Sequence, residues 1–256
     1  MLTAITREIS PDMNHCELTH LERRVIDVDL ARHQHEQYQA ALSSLGCEVH
    51  SIPTEPGLAD SVFIEDTALV LDELAVLCQP GAISRRPEIV AVKSALEPYR
   101  NLESILAPGT VDGGDLLLIG KTIYAGLTTR TNQGGIEQLG NIVGAYGYRV
   151  IPVENSKCLH LKSAASKIAA NTLLVSPQWI DITAFKDHEL VSVDEKEPGA
   201  ANAVLAGTSL IYPSAFPQTA EKLARLGFNV NPVNISEAQK AEGAVTCCSL
   251  IFESSR

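Results

Sequence analysis

One short phrase, repeated at distant places, limits what this chain can fold into. Leu45-Gly46-Cys47-Glu48-Val49 is echoed by Tyr146-Gly147-Tyr148-Arg149-Val150 and by Leu226-Gly227-Phe228-Asn229-Val230. Each follows an amphipathic stretch with helical spacing: Ala31 to Leu45, Gly135 to Tyr146, and Pro217 to Leu226. A glycine there can take the left-handed conformation that stops a helix, and the alternating residues after it start a strand. Apolar hairpins precede the helices. Thr67 to Gln79 turns at Asp72-Glu73, Leu116 to Leu127 at Gly120-Lys121, Lys167 to Val175 at Asn171-Thr172, and Ala203 to Tyr212 at Gly207-Thr208. The unit is hairpin, helix, strand, with copies at 67–106, 115–153, 167–193 and 203–233. A fifth copy is split: a strand over Thr246 to Phe252 ends the chain, while a strand Leu2 to Thr6, a helix Ala31 to Leu45 and a strand Cys47 to Ile52 begin it. Pairing of the terminal strands would close a ring. The expected class is α/β, a five-unit ββαβ propeller forming a single domain over 1–256. The rival is an open parallel sheet with helices on both faces, weakened because no GxGxxG opens a helix after the first strand.

The bulk numbers exclude other classes. The 256 residues are 45% hydrophobic and 20% charged, as in ordinary globular proteins. No apolar run approaches the roughly 20 residues of a membrane helix, and the N-terminus shows no secretory signal. A formal charge of −11 argues against nucleic-acid binding. It is compatible with a cationic substrate or simply with a solvated acidic surface. The six cysteines match no disulfide framework, so reduced thiols in a cytoplasm are expected. Without CxxC or HExxH, no built-in metal site is expected. His33 and His35 are read as surface residues of the first helix.

Polar clusters occupy the same place in successive units. Asp60-Ser61-Val62-Phe63-Ile64-Glu65-Asp66 precedes the first complete hairpin, Asp112-Gly113-Gly114-Asp115 the second, and His160-Leu161-Lys162-Ser163 the third. Cys247 opens the strand that closes the ring. Equivalent positions in a ring lie at one end of its axis, so these residues would converge on one pocket. A cysteine thiolate attacks electrophilic carbon well, and a nearby histidine or a bound cation would increase its population. The alternative for Cys247 is a buried structural thiol, although Cys248 is the better candidate for that role because adjacent strand residues face opposite sides. A strained vicinal disulfide is a further alternative. His160 could protonate a leaving amine and then activate water, or be a hydrogen-bonded core histidine. Asp112 would orient it and favour its protonated form, or be a plain turn aspartate. Asp60, Glu65 and Asp66 sit in an apolar frame and need cationic partners. A guanidinium suits them, its planar donors matching two carboxylate oxygens. Arg85 and Arg130 could hold a carboxylate in the same way, or be surface ion pairs.

At these residues the sequence resembles the dimethylarginine dimethylaminohydrolase family of the guanidino-group-modifying (pentein) superfamily. The matching segments are Asp60 to Asp66, Pro80 to Arg86, Leu127 to Gln133 (with Arg130), Leu159 to Ser163, Ala201-Asn202, and Val245 to Ser249. Asp112-Gly113-Gly114-Asp115 is similar to the mammalian form. The resemblance implies the five-unit α/β propeller and hydrolysis of methylated arginine to citrulline plus dimethylamine or methylamine, with no metal or organic cofactor. It implies that Cys247 forms a covalent thiouronium, that His160 protonates the departing amine, and that Asp112 supports His160. By the same resemblance Asp66 and Glu65 meet the guanidinium, Asp60 meets the α-amino group, Arg85 and Arg130 take the α-carboxylate, and Ala241 and the lid residue Leu18 contact the ligand. The lid, Asn14-His15-Cys16-Glu17-Leu18-Thr19-His20-Leu21, departs from the mammalian pattern and leaves the accepted N-substituents open.

The expected partner is a small guanidino amino acid, with no nucleic acid and no membrane; homodimerisation is left open. Rival functions are arginine deimination, with ammonia as leaving group, and amidino transfer to an amine. From another class comes a noncatalytic binding propeller. The joint presence of Cys247, His160 and Asp112 argues against that one.

Overall fold

Residues 1–254 are described by a computed structural model of the chain. Its strands form five three-stranded sheets with one shared plan. The first uses β1 (Leu2–Arg7), helix α1 (Val28–Ser44) and β2 (Glu48–Ile52). The second is β3 (Ala68–Val70), β4 (Leu74–Leu77), α2 (Ile89–Leu96) and β5 (Asn101–Ser104). The third is β6 (Leu116–Ile119), β7 (Thr122–Leu127), α3 (Gln133–Gly144) and β8 (Arg149–Glu154). The fourth begins with α4 (Leu161–Ala164) and contains β9 (Ala165–Lys167), β10 (Thr172–Val175) and β11 (Glu189–Ser192). The fifth is β12 (Val204–Ala206), β13 (Ser209–Pro213), α5 (Pro217–Arg225) and β14 (Asn229–Val233). A short helix α6 (Ser236–Gln239) leads back to β15 (Leu250–Glu253), which joins the first sheet.

In every sheet the middle strand pairs antiparallel with an inner strand and parallel with an outer one. The ring closes as expected: β15 runs antiparallel to β1, with Leu2 opposite Glu253 and Ile5 opposite Leu250. The N-terminal ammonium adds a 2.8 Å bond to the Ser254 carbonyl. Inner strands β3, β6, β9, β12 and β15 surround an axial channel walled by residues such as Leu69, Leu117, Lys167, Val204 and Ile251. An open parallel sheet is therefore not the architecture.

The recurrent glycines act as the sequence suggests. Gly46, Gly147 and Gly227 have φ of 91°, 80° and 92°. After each, the next amide reaches back into the helix, as Cys47 N does to the Leu42 carbonyl at 3.1 Å and Phe228 N to Leu223 at 3.1 Å. These are left-handed helix stops that release the chain into the outer strand. At the other ends, Asp27 caps α1 through Leu30 N and Asn132 caps α3 through Gly135 N.

Three local expectations change. The fourth unit has no α-helix between its second and third strands, only a single 3-10 turn at Ile182–Phe185. The link from 176 to 188 is short and carries Pro177 near its start, which leaves no room for a helix like α3. Cys247 does not open a strand: Thr246–Cys248 is a 3-10 turn, and β15 starts at Leu250. His35 is not a surface residue. On α1 the buried positions are Ala31, Gln34, His35, Tyr38 and Leu42, so His35 shares the inward face that helical spacing gives Ala31 and Tyr38. Burial lowers its pKa to about 4, and Gln39 contacts its Nε2 at 3.3 Å. His33 does stay exposed. Among the described residues, no helix is long and apolar enough to cross a membrane.

Candidate active site

The turn before each inner strand lies at one end of the ring. Ile64–Thr67 precedes β3, Gly113–Asp115 precedes β6, His160 leads into α4 and β9, Asn202 stands before β12, and Thr246–Cys248 precedes β15. Four of these turns, with the lid, line a small cavity. Its wall includes Asp60, Asp66, Arg85, Asp112, Arg130, His160, Ala241 and Cys247. Residues separated by up to most of the chain length thus meet because the fold repeats.

His160 is buried and held at both ring nitrogens. Nε2 is 3.2 Å from Asp112 Oδ2, and Nδ1 is 3.7 Å from Asp66 Oδ1. Burial opposes the charged imidazole, but the carboxylates of Asp66, Asp115 and Asp112 outweigh it and raise its pKa to about 9. Histidine is therefore the imidazolium acid at neutral pH. The approach of Gly114 makes this geometry possible: a Cβ there would come 2.5 Å from His160 Nδ1 and 2.7 Å from Asp66 Oδ1. The raised value carries a stability consequence. A group bound more tightly to its proton in the folded state stabilises fully below its unfolded pKa of 6.5 and loses that contribution as pH rises through about 9. At about 1.36 kcal/mol per pKa unit this amounts to roughly 3 kcal/mol. Urea unfolding at pH 6.5 and 9.5 is expected to show a drop of that order, and His160→Gln is expected to flatten it.

Asp66 is the hub of the acidic wall. It accepts from Gly114 N at 2.9 Å and from Arg85 Nη1 at 2.5 Å. Burial would raise its pKa, but His160 and Arg85 together bring it below the usual carboxylate range. Arg85 is not a surface ion pair. It is 5% exposed, and it also donates to Glu88 (3.1 and 2.9 Å) and to the carbonyls of Asp60 and Phe63. One Nη1 hydrogen is left without an acceptor among the described residues and is available to a ligand. Arg130 is half-buried and reaches the lid through Thr19 Oγ1 at 3.0 Å. Asp60 accepts from Glu17 N at 3.0 Å, which ties the lid to the acidic segment.

Cys247 keeps partial exposure as a residue, while its sulfur is enclosed by protein atoms. Its Sγ accepts from Ala244 N at 3.4 Å. Burial, then the negative fields of Glu65 and Asp66, push the thiol well above its ordinary value. Cys247 therefore rests as a protonated thiol, and a neighbouring cation would favour its ionisation. Cys248 is buried with Sγ toward the Ala244 carbonyl. All six cysteines are free, so the vicinal disulfide is not formed.

Two expected ligand contacts are not brought to this cavity. Glu65 turns to the axial channel, with Oε1 on Lys162 Nζ at 2.7 Å and Oε2 on the Thr246 hydroxyl at 2.7 Å. Both oxygens are taken, so Glu65 reaches Cys247 by its field. Leu18 packs on the core that includes Met13, Cys16, Phe63 and Ala241 and does not form the cavity wall. Other residues were missed. Asp115 is fully buried and accepts from Leu161 N (2.9 Å) and from the Thr128 and Thr131 hydroxyls (2.7 Å each). It fixes the backbone immediately after His160. Asn202 joins Lys162 to Thr246 at 2.9 and 3.0 Å. Its position before an inner strand, equivalent to that of Asp66 and Asp115, was the available signal. Asp66, Asp112 and His160 bring three potential metal donors within 4.8 Å of one another. Arg85 and the imidazolium already supply the positive charge those carboxylates need.

The family model described as N,N dimethylarginine dimethylhydrolase, eukaryotic, matches residues 7–198. An N(G),N(G)-dimethylarginine dimethylaminohydrolase of Streptomyces coelicolor is 38% identical over 248 residues, covering 96% of this chain and 95% of the relative. The chain belongs to the dimethylarginine dimethylaminohydrolase family. A second family member, from Pseudomonas aeruginosa, is 35% identical over 88% of this chain and 90% of its own length. Among solved structures, a cysteine-to-serine mutant of the Pseudomonas aeruginosa enzyme complexed with citrulline superposes with a TM-score of 0.94 at 32% identity, covering 98% of this chain and all of that one. The N-terminal domain of ArgZ, a cyanobacterial arginine dihydrolase, shares the fold at a TM-score of 0.84 and 20% identity, covering 98% of each chain.

Proposed function

We propose that this chain hydrolyses N-ω-methylated arginine to citrulline and dimethylamine or methylamine, with Cys247 as nucleophile. The observation that carries the reading is the imidazolium of His160, held between Asp66 and Asp112 in the same closed cavity as a protonated Cys247 thiol. The names of the family members and the citrulline bound to the Pseudomonas aeruginosa mutant support the same chemistry.

The sequence of events follows from the charges. A guanidinium entering beside Asp66 brings a positive charge next to Cys247, and the thiol releases its proton to solvent. The thiolate adds to the guanidinium carbon. The C–N bond to the methylated nitrogen breaks, and His160 gives that nitrogen its proton, so a neutral amine leaves and an S-linked thiouronium stays on Cys247. The imidazole, now neutral, takes a proton from water as water attacks the same carbon. The C–S bond then breaks as the carbonyl of citrulline forms, and the hydroxyl proton of the adduct passes to the departing sulfur, which releases citrulline and restores the Cys247 thiol. Asp112 holds the ring through both halves. Arg130, with the remaining Arg85 donor, suits the α-carboxylate, and Asp60 the α-ammonium. Ala241 lines the wall beside them.

The test is product analysis on the purified protein under reducing, metal-free conditions, with methylated arginines and plain arginine offered separately. Citrulline with an equal amount of methylated amine, from methylated arginines only, is the expected result. Citrulline and ammonia from arginine alone would replace the reading with arginine deimination.

A further inference from the structure

The lid is gripped at three points by one short segment, and that segment runs directly into the nucleophile. Glu237 Oε2 accepts from Asp27 N at 2.8 Å, and Lys240 Nζ donates to the Val25 carbonyl at 3.1 Å. These two hold residues 25–27, which join the lid to α1. At the near end, above the cavity, Asp60 holds Glu17 N and Arg130 reaches the Thr19 hydroxyl, but the backbone of residues 19–21 converges on one further side chain. The Glu242 carboxylate accepts from three consecutive amides, Thr19 N (3.0 Å), His20 N (2.5 Å) and Leu21 N (2.6 Å). Glu242 is also part of the cavity wall. Among the described residues it is the one non-glycine with positive φ, at 58°. A glutamate is disfavoured in that conformation, and adopting it aims the carboxylate at the lid. Gly243 follows, packed so closely on Phe63 that a Cβ would come 2.2 Å from its ring. Ala244 then hydrogen-bonds Cys247 Sγ.

We infer that Glu242 is a positioning residue: it latches the 19–21 segment of the lid shut and ties lid closure to the turn that presents Cys247. Breaking one carboxylate frees three lid amides together, while Glu237 and Lys240 keep the other end attached. The 19–21 stretch therefore moves between two retained attachments, Glu17 on Asp60 and residues 25–27 on Glu237 and Lys240, to admit ligand. Side chains at 18–21 return over the cavity only when the Glu242 carboxylate is recaptured.

Amide hydrogen exchange on Glu242→Gln, Glu242→Ala and Glu242→Gly is the test. Glutamine keeps the shape but offers one acceptor oxygen to three donors, and glycine removes the carboxylate while accepting the backbone conformation. All three are expected to speed exchange at Thr19, His20 and Leu21 by about tenfold or more, with Leu173 and Leu174 of β10 unchanged. Native exchange at Thr19 to Leu21 in both the glutamine and glycine variants would overturn the latch, whatever the alanine variant does. The kinetic arm rests on the proposed hydrolysis: KM for methylated arginine is expected to rise more than kcat falls, because closure favours the bound state. A kcat loss exceeding the KM rise would overturn the positioning role. The exchange arm needs no turnover, so failure of the hydrolytic reading and failure of the latch are separately visible.

Discussion

Cys247→Ser is expected to lower turnover of methylated arginine by at least about a thousandfold while leaving the fold intact. Cys247 is the half-buried member of the vicinal pair, and among the described residues its sulfur takes part in one weak hydrogen bond, from Ala244 N at 3.4 Å. Exchange of sulfur for oxygen there removes little packing. Chemically the change is severe. A serine hydroxyl is a much poorer nucleophile than a thiolate, and the negative fields of Glu65 and Asp66 that hold the thiol protonated oppose an alkoxide still more strongly. The geometry offers no neutral base to compensate, because His160 rests as the imidazolium. Cys248→Ser is the matching control. Its sulfur is buried and points at the Ala244 carbonyl, so it is expected to reduce stability modestly and leave the chemical step in place. Steady-state kinetics and thermal unfolding on both variants measure the contrast.

Asp66→Ala is expected to cost about 3–5 kcal/mol of stability, the largest structural penalty among the site residues. Its carboxylate receives a backbone amide, a buried guanidinium and a buried imidazolium. Its removal strands two cations that have almost no access to water, and leaves Gly114 N without its acceptor. Glu88 still pairs with Arg85, which limits the loss at that end. His160 retains Asp112 and Asp115, so its pKa falls without returning to that of an exposed histidine. Urea unfolding gives the stability, and NMR titration of the imidazole gives the shift. A loss under about 1 kcal/mol, the range of surface ion pairs, would mean that Asp66 is not the hub described.

Much of the architecture was legible because it repeats. Gly46, Gly147 and Gly227 mark three helix ends, and each lies where only a residue free to take positive φ closes the helix without strain. The hairpin turns at Asp72-Glu73, Gly120-Lys121 and Gly207-Thr208 fall between paired strands. Where the repeat decays, so does the reading. The fourth unit kept its strands and lost its helix, and no periodicity announces that loss. The Cys247 segment looked like strand because Val245, Thr246 and the two cysteines are β-prone. Turn geometry dominates there, since the chain must place Cys247 on the cavity and Cys248 in the core.

The site was legible in kind more than in partnership. His160, Asp112, Asp66 and Cys247 were recognisable as residues at equivalent places before inner strands. That Glu65 answers Lys162 and Thr246 could not be read from spacing, because those partners come from other units. Arg85 was read as holding a carboxylate or forming a surface ion pair, and nothing local signals that Glu88, three residues on, folds back beside it in the interior. His35 was misjudged by considering its distance from His33, when its spacing from Ala31 and Tyr38 sets its face.

The most direct test of the account is acid-quench mass analysis of the protein caught during turnover of methylated arginine, with Cys247→Ser and His160→Gly in parallel. The account predicts a covalent adduct with the mass of the thiouronium, confined to the peptide that carries Cys247, and none in the serine variant. An adduct on another residue, or full turnover by the serine variant, would contradict it.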